Sequence, residues 1–381
     1  MLVQTKKGDD WRVLRPLKNI ARKIGLFRPE LDSLPLCFYP GRMRNEFSPA
    51  MLPDMVPSDI AVLLPDIVHM HWIGYGFLRI ESLKKFNRPI VWTLHDMWAF
   101  TGGCHVDQDC GRYAQECGAC PQLGSKRKKD LSHHTWQRKL SAWRDLDLTV
   151  VAPSHWLAEC AKKSSLFKNR RICVIPNGLN LDYFKTVAKD SARRLWNLPQ
   201  DKKLILFGAI NATGDRNKGF HLIQEALRSL GQDRLCDAME LVVFGASEPQ
   251  KPPDFGLKTR YVGSLHDDVS LAALYSAADI MVVPSLQEAF GQTASEAFAC
   301  GCPVVSFGST GLLDIVDHCK NGYLARPFES NDLARGIQWV LEDEGRYKKL
   351  CAAARQKAEK KYDLHKVASQ YKKLYRDLLG R

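Results

Sequence analysis

Two acidic residues, Glu288 and Glu296, stand eight positions apart around the sequence Phe-Gly-Gln-Thr, directly after the apolar run Ile280–Val283. The run is short, β-branched and apolar on both faces, as expected of a buried strand. Gly291 permits a close backbone approach at the turn, and the residues after it are expected to open the helix that carries Glu296. The pattern predicts two carboxylates and a helix start at the carboxyl end of a strand.

This arrangement suits an anionic ligand that carries hydroxyl groups. A helix start has unpaired N–H groups and the positive end of the helix dipole, which together favour phosphate. Glu296 lies about one turn into the predicted helix, where its carboxylate can accept hydrogen bonds from a ribose diol. Glu288, on the loop, can accept one from a sugar hydroxyl beyond the phosphates. In isolation, two such acids are more often a solvated carboxylate and a helix-dipole partner.

Alternating strands and helices position these residues. Seven apolar runs indicate buried parallel strands, and the stretches 218–230 and 269–279 between them carry apolar side chains on one helical face. Such alternation is typical of α/β proteins with doubly wound sheets, in which ligands bind beyond the carboxyl ends of strands. The predicted strands are 90–94, 148–154, 172–178, 204–209, 241–246, 280–285 and 303–308.

Composition narrows the class of protein. The 381 residues suffice for two domains, and 45% hydrophobic with 25% charged residues is ordinary for a globular protein. The formal net charge of +13 favours anionic partners such as acidic lipid or phosphorylated small molecules. No zinc-finger, bZIP or RNP motif is present in the sequence, so we expect no nucleic-acid partner. The opening residues lack the apolar core of a signal peptide, and we expect a cytoplasmic protein.

The stretch 284–305, PSLQEAFGQTASEAFACGCPVV, resembles the E-x7-E signature of retaining GT-B glycosyltransferases of family 4. The resemblance runs over essentially the whole chain and implies an α/β protein with two Rossmann-like domains facing a cleft. Within that family, the sequence most resembles bacterial exopolysaccharide transferases of the colanic-acid type. The other matching pieces are HMHW from His69, TLHDMWAFTGGCH from Thr93, VAPSHWLAEC from Val151, VIPNGLNLDYF from Val174, KGF from Lys218, VGSLHDD from Val262 and LYSAADIMVVPS from Leu274.

The resemblance assigns donor binding to the second domain. It implies that Glu296 binds the ribose hydroxyls of a nucleotide-diphosphate sugar and that Glu288 binds the donor sugar. The turn residues between the two acids would meet the sugar and the diphosphate through their backbone and open the helix: Phe290, Gly291, Gln292 and Thr293.

Basic and imidazole groups complete the site that the resemblance implies. Lys218 would neutralise the leaving diphosphate, as a metal-independent transferase requires. His95, after the strand 90–94, matches the active-site histidine of the family and would contact the donor sugar. Many members carry an arginine soon after the first strand of the second domain. Ala209 stands there in this chain, and Arg216 is the residue that we expect to substitute for it. In isolation, such a lysine is usually a solvated helix-start residue and such a histidine a structural one.

The predicted domains are an acceptor-side domain over 1–175, a nucleotide-sugar domain over 176–358 and a closing helix over 359–381 that packs back on the first domain. The chain opens at MLVQTKKG, which resembles the second strand of the family. The N-terminal domain is therefore predicted to lack its first strand–loop–helix unit, which exposes an edge and apolar surface and places acceptor binding in question. His69 and His71, in HMHW, are interpreted as residues that shape a loop near the cleft.

Four of the twelve cysteines form a C-x5-C-x6-C-x2-C array: Cys104, Cys110, Cys117 and Cys120. Four thiolates suit tetrahedral zinc, and a set without an open position predicts a structural site that pins a long loop near His95. Two disulfides or free thiols are the alternatives. No cofactor is expected for catalysis.

The segment 11–27 predicts a basic amphipathic helix, which fits either peripheral contact with an anionic membrane, at the inner face of the plasma membrane, or a domain helix with a solvated basic face. Together these features predict a retaining, metal-independent hexosyltransferase of polysaccharide biosynthesis. It would move a sugar from a nucleotide-diphosphate donor to a glycan or lipid-linked acceptor. The alternative is a truncated, non-catalytic nucleotide-sugar-binding protein.

Overall fold

A computed structural model describes residues 1–6, 8–17, 24–208, 215–230 and 236–380. The chain divides into two units, the first comprising Met1–Val174 with Leu374–Arg381 and the second Ile175–Lys373. Residues 18–23, the middle of the basic helix predicted over 11–27, lie outside the described ranges. No described helix is both long enough and apolar enough to cross a membrane.

Four parallel strands form the sheet of the first unit, and each pairs with the next in chain order. The two central strands are buried along their whole length, as expected of parallel strands covered on both faces. The strands are β1 (Val68–Met70), β2 (Ile90–Thr93), β3 (Leu148–Ala152) and β4 (Arg171–Val174). The α-helices of this unit are α1 (Arg28–Ser33), α2 (Val56–Leu63), α3 (Leu131–Trp143) and α4 (His155–Lys163).

Strand β1 lies at the edge of this sheet, and no strand precedes it within the described residues. The prediction that the opening residues resemble a second strand is wrong. Leu2 makes only an isolated bridge with Leu14, because the backbone groups around it bond locally across a turn. A large apolar cavity lined by residues such as Ile60, Ile67 and Phe86 lies beside β1. The apolar surface expected of a sheet that lacks a strand is therefore present.

The second unit contains six parallel strands: β5 (Lys203–Gly208), β6 (Met239–Phe244), β7 (Lys258–Gly263), β8 (Ile280–Val283), β9 (Val304–Phe307) and β10 (Gly322–Ala325). Their spatial order is β10-β9-β8-β5-β6-β7, a doubly wound sheet in which the order of the strands reverses between β5 and β8. Its helices are α5 (Lys189–Leu195), α6 (Phe220–Leu230), α7 (Asp268–Ala277), α8 (Gln292–Ala299), α9 (Leu312–Ile315), α10 (Ser330–Leu341) and α11 (Glu344–Lys361), and α12 (Leu364–Leu379) continues from this unit into the first.

Two apolar clusters cover the two faces of the six-stranded sheet. Leu206 and Phe298 belong to one cluster, and Phe207 and Ile337 to the other. Neighbouring residues of β5 thus point to opposite faces, and both faces are buried. This double burial explains why the strands read as continuous apolar runs. The predicted α/β class with two Rossmann-like units is confirmed, and all seven predicted strands are present.

Candidate functional site

Glu288 and Lys218 form an ion pair beyond the carboxyl end of β8. Lys218 Nζ lies 2.8 Å from Glu288 Oε1, and the two side chains are only 24% and 18% exposed. Lys218 follows β5 in the chain and Glu288 follows β8, and these strands pair directly in the sheet. The loops at their carboxyl ends therefore meet. The structure brings together two predicted catalytic residues that are distant in sequence.

Asn217 ties these two loops to each other. Its side-chain Nδ2 donates to the carbonyl of Gln287 at 2.8 Å, and its Oδ1 accepts from the backbone N–H of Gln287 at 3.1 Å. Its own carbonyl accepts from the N–H of Leu286 at 2.8 Å. These bonds flank the ion pair, so Asn217 fixes the position of Lys218 relative to Glu288. Sequence reasoning missed this residue, although its position directly before Lys218 could have pointed to it.

Two glycines allow the loops to approach closely. Gly219 has φ +70°, and a Cβ there would lie 1.8 Å from the carbonyl oxygen of Pro284. Gly291 has φ +105°, and a Cβ there would lie 2.7 Å from Leu312 Cδ2. Both positions require glycine for conformation and for space. The glycines of Lys-Gly-Phe and Phe-Gly-Gln therefore shape the site directly.

A third loop, after β9, supports Glu288 from the other side. Thr310 Oγ1 accepts from the backbone N–H of Glu288 at 3.1 Å, and the N–H of Gly311 donates to the carbonyl of Glu288 at 2.9 Å. Thr310 adopts a left-handed backbone with φ +56°, a conformation that is costly for a β-branched residue. The hydrogen bonds that Thr310 and Gly311 make with Glu288 hold Thr310 in this strained conformation. Sequence reasoning missed Thr310 and Gly311.

Glu296 lies in the interior of the second unit, with 9% of its surface exposed. Its Oε2 accepts from the Tyr275 hydroxyl at 2.9 Å, and its Oε1 accepts from Gln292 Nε2 at 3.1 Å. Burial raises the pKa of Glu296 to about 7, and these two hydrogen bonds oppose the rise. Each carboxylate oxygen can accept a second hydrogen bond. The residue predicted to bind the ribose thus has a buried carboxyl group, and a neighbouring side chain holds each of its two oxygens.

The predicted phosphate-binding turn forms the start of α8. The carbonyl of Gly291 accepts from the N–H groups of Ala294 and Ser295, and Gln292 is exposed at the first position of the helix, before the half-buried Thr293. The first N–H groups of a helix have no intrahelical partner, so they are available to an anion. The side chain of Phe290 packs edge-to-face on Tyr362 in the core, with ring centroids 5.5 Å apart. Only the backbone of Phe290 can therefore serve a ligand.

His95 lies in the first unit, directly after β2, in a group of three histidines. His71 Nδ1 is 3.0 Å from His95 Nε2, and the ring centroids of His69 and His71 are 4.3 Å apart. The hydroxyls of Tyr375 and Thr93 lie 2.6 Å and 2.8 Å from the two ring nitrogens of His69. The interpretation of His69 as a loop residue is wrong, because it is the central residue of β1.

Known proteins resemble this chain over both units. The family model for Glycosyltransferase Family 4 matches residues 9–183, and the model for Glycosyl transferases group 1 matches residues 188–361. A D-inositol 3-phosphate glycosyltransferase of Xylanimonas cellulosilytica is 31% identical over 309 residues, which is 76% of this chain and 67% of the relative. The chain belongs to glycosyltransferase family 4.

Solved structures place this glycosyltransferase in the GT-B fold. Sucrose-phosphate synthase from Thermosynechococcus elongatus superposes with a TM-score of 0.65 and 25% identity, covering 85% of this chain and 76% of that one. Anabaena HepE, in complex with UDP and glucose, superposes with a TM-score of 0.60 and 18% identity, covering 84% and 80%. The predicted GT-B architecture is confirmed.

Arg216 does not join the ion pair of this glycosyltransferase. It opens the 3₁₀-helix Arg216–Lys218, and its side chain is exposed and makes no salt bridge within the described parts of the chain. Its charge contributes, after burial, to lowering the pKa of His221. The predicted substitution of Arg216 for the arginine that the family usually carries remains a prediction.

The four cysteines of the array line one small cavity in the first unit and are free thiols: Cys104, Cys110, Cys117 and Cys120. Burial raises the pKa of Cys117 to about 12 and raises that of Cys104 as well. Among the residues that the structure describes, no group of three or more Cys, His, Asp or Glu is arranged to hold a metal ion. The thiols share a cavity without ligating geometry, and structural zinc remains a prediction.

Proposed function

We propose that this glycosyltransferase of glycan biosynthesis is a retaining, metal-independent hexosyltransferase. It moves a sugar from a nucleotide-diphosphate donor to a glycan or lipid-linked acceptor in the synthesis of a bacterial exopolysaccharide. The observation that carries the proposal is the Lys218–Glu288 ion pair, held by Asn217 beside the start of α8. The complex of HepE with UDP and glucose supports a nucleotide-sugar donor for this fold.

The start of α8 and Lys218 bind the diphosphate of the donor. Backbone N–H groups from Phe290 to Gln292 donate to phosphate oxygens, and the helix dipole favours the negative charge. The Lys218 ammonium has three N–H donors, so it can bond a phosphate oxygen while it keeps Glu288. Glu288 then directs its second oxygen to a sugar hydroxyl. Glu296 accepts from the ribose hydroxyls while Tyr275 and Gln292 hold its carboxyl group.

Transfer breaks the bond between the anomeric carbon of the sugar and the diphosphate oxygen. The acceptor hydroxyl oxygen forms the new bond on the same face of the sugar, and its proton passes to the leaving phosphate oxygen. Lys218 stabilises the negative charge that builds on that oxygen, which lowers the barrier without a metal ion. In the first unit, His95 contacts the sugar that is transferred.

The experiment is transfer of radiolabelled sugar from UDP-glucose and GDP-mannose to a panel of lipid-linked and soluble glycans. We expect labelled product whose new linkage keeps the anomeric configuration of the donor, and unchanged product formation in the presence of EDTA. An inverted linkage contradicts the retaining mechanism, and loss of product with EDTA that added Mg²⁺ or Mn²⁺ restores contradicts the metal-independent one.

A second candidate function is donor binding without turnover. It is favoured by the first unit, in which no described strand precedes β1 and an apolar cavity lies beside that edge. Under this alternative, a nucleotide sugar binds and Lys218→Ala weakens its affinity, but no acceptor is glycosylated. The transfer experiment separates the two functions when it is run beside a calorimetric measurement of donor binding.

A further inference from the structure

His71 and His95 form a pair whose geometry has consequences for the transferred sugar. Their rings lie at the carboxyl ends of β1 and β2, with His71 Nδ1 and His95 Nε2 3.0 Å apart and the ring planes inclined by 30°. Both rings line a shallow surface pocket, together with Trp72 and Asp96. The pair is therefore placed where a polar ligand can reach it.

Both imidazoles are neutral near pH 7. Burial, with repulsion from His95, lowers the pKa of His71 to about 4, and burial lowers the pKa of His95 although the neighbouring Asp96 opposes this. Burial lowers the pKa of the adjacent His69 to about 3. A neutral imidazole has one nitrogen that donates and one that accepts. One proton therefore lies between the two rings, and each ring has one nitrogen left.

The shared hydrogen bond couples the donor or acceptor character of those two remaining nitrogens. When His95 Nε2 donates to His71 Nδ1, His95 Nδ1 is an acceptor and His71 Nε2 is a donor. The reverse arrangement exchanges both roles. One end of the pair thus always donates and the other always accepts. Within the described ranges, the two imidazole rings make no other hydrogen bond.

Among the residues that the structure describes, no carboxylate is hydrogen-bonded to the His95 ring. Its neighbour Asp96 is directed to other groups, because its oxygens accept from Trp72 Nε1 at 2.7 Å, His105 Nδ1 at 2.6 Å and the backbone N–H of Trp98 at 2.8 Å. The backbone carbonyl of His71 accepts from Trp92 Nε1 at 3.1 Å, which holds this residue at the end of β1. His71 is consequently the side chain that can set the tautomer of His95.

We infer that His71 is a positioning residue for His95: through their shared hydrogen bond it fixes which nitrogen of His95 meets a hydroxyl group of the transferred sugar. This inference rests on the proposed function, in which His95 contacts that sugar. The ligand class is a sugar with neighbouring hydroxyls, one of which donates to the accepting end of the pair. Another can accept from the donating end.

The test compares His71→Leu with His71→Asn in the 381-residue chain. Leucine removes the hydrogen bond, whereas the asparagine amide places a polar group near the position of Nδ1. We expect His71→Leu to lower kcat roughly tenfold to hundredfold, with the KM for the donor changed less than about threefold. His71→Asn keeps kcat within about threefold. The ¹⁵N spectrum of the His95 imidazole shows one tautomer in the native protein and His71→Asn, and a mixture in His71→Leu.

The solvent-exposed His134 provides the matched control, and His134→Leu leaves both kcat and the spectrum unchanged. Native kcat and an unchanged tautomer in His71→Leu overturn the inference. If His95→Ala has a lowered kcat in that case, the proposed function stands without a positioning role for His71. If His95→Ala is fully active, the proposed role of His95 has failed. Should His71→Leu not fold, His71→Gln replaces it, because its longer amide reaches the Nε2 position instead. Equal activity of His71→Gln and His71→Asn then overturns the inference.

Discussion

Substitution Glu296→Gln should stabilise the protein and weaken donor binding at the same time. Glu296 is buried, and its pKa is about 7 in the folded protein against 4.5 in the unfolded chain. The difference of roughly 2.5 pH units, at about 1.4 kcal/mol each, corresponds to about 3 kcal/mol of unfolding free energy. Glutamine keeps the shape and an acceptor for Tyr275 but carries no charge.

The sign of the effect depends on pH. The folded state binds the Glu296 proton more tightly than the unfolded chain, so the protonated carboxyl imposes no penalty below pH 4.5. Between pH 4.5 and 7 the unfolded chain loses its proton first, and stability falls as pH rises. Above pH 7 the penalty is constant. Glu296→Gln should therefore match the native protein near pH 4.5 and exceed it by about 3 kcal/mol at pH 8.

Chemical denaturation at a series of pH values, followed by a fluorescence signal from the second unit, measures this difference. Donor affinity is measured on the same samples, and we expect a loss of tenfold or more because one acceptor oxygen for the ribose is replaced by an NH₂ group. The exposed Glu342 supplies the control, Glu342→Gln, with neither effect. A pH-independent stability difference refutes the assignment of the raised pKa to this carboxyl, and native donor affinity refutes its contact with the ribose.

Three further predictions address the lysine loop and the cysteines. Lys218→Ala should lower kcat by about 10² to 10³ in initial-rate assays, because the leaving diphosphate loses its cation. Lys348→Ala, at an exposed side chain of α11, is the control and should leave kcat unchanged. Gly219→Ala should destabilise the second unit by about 3 kcal/mol or more in thermal unfolding, because the new Cβ would collide with the carbonyl of Pro284. Gly345→Ala is the control. Its Cβ would meet only the flexible side chain of Asp343, at 3.4 Å, so we expect no such loss. Elemental analysis of the native protein and Cys117→Ser tests the zinc prediction: one zinc per chain that is lost in the variant supports it, and a metal-free native protein contradicts it.

The buried strands could be predicted because their chemistry is local. Both faces of β5, β6, β8 and β9 are covered, so each reads as an apolar run regardless of its neighbours. The strands that were not predicted lie at sheet edges. Strand β7 contains Lys258 and Arg260, which pair with Glu240 on the neighbouring strand, and β1 and β10 each have two half-buried residues. An edge strand needs apolar residues on one face only, so its sequence pattern is weak.

The same contrast applies to the site. Glu288, Gly291 and Glu296 lie within one turn and one helix, so the local sequence predicts the turn and the helix start that carry them. The contacts of Asn217 and Thr310 with the Glu288 loop depend on which strands are neighbours in the sheet, and no local pattern encodes that order. The raised pKa of Glu296 likewise depends on its burial in the folded unit, while the hydroxyl of Tyr275, a residue from another helix, opposes the rise.

The central claim is that the start of α8, Lys218 and the two acids together bind a nucleotide-diphosphate sugar. The most direct measurement is calorimetric titration of the native protein, Lys218→Ala, Glu288→Gln and Glu296→Ala with UDP, GDP and their sugar conjugates. The account predicts that Lys218→Ala and Glu296→Ala weaken binding of both the diphosphate and its conjugate, whereas Glu288→Gln weakens only the conjugate. Equal affinity of all four proteins for every nucleotide, or no binding to the native protein, contradicts it.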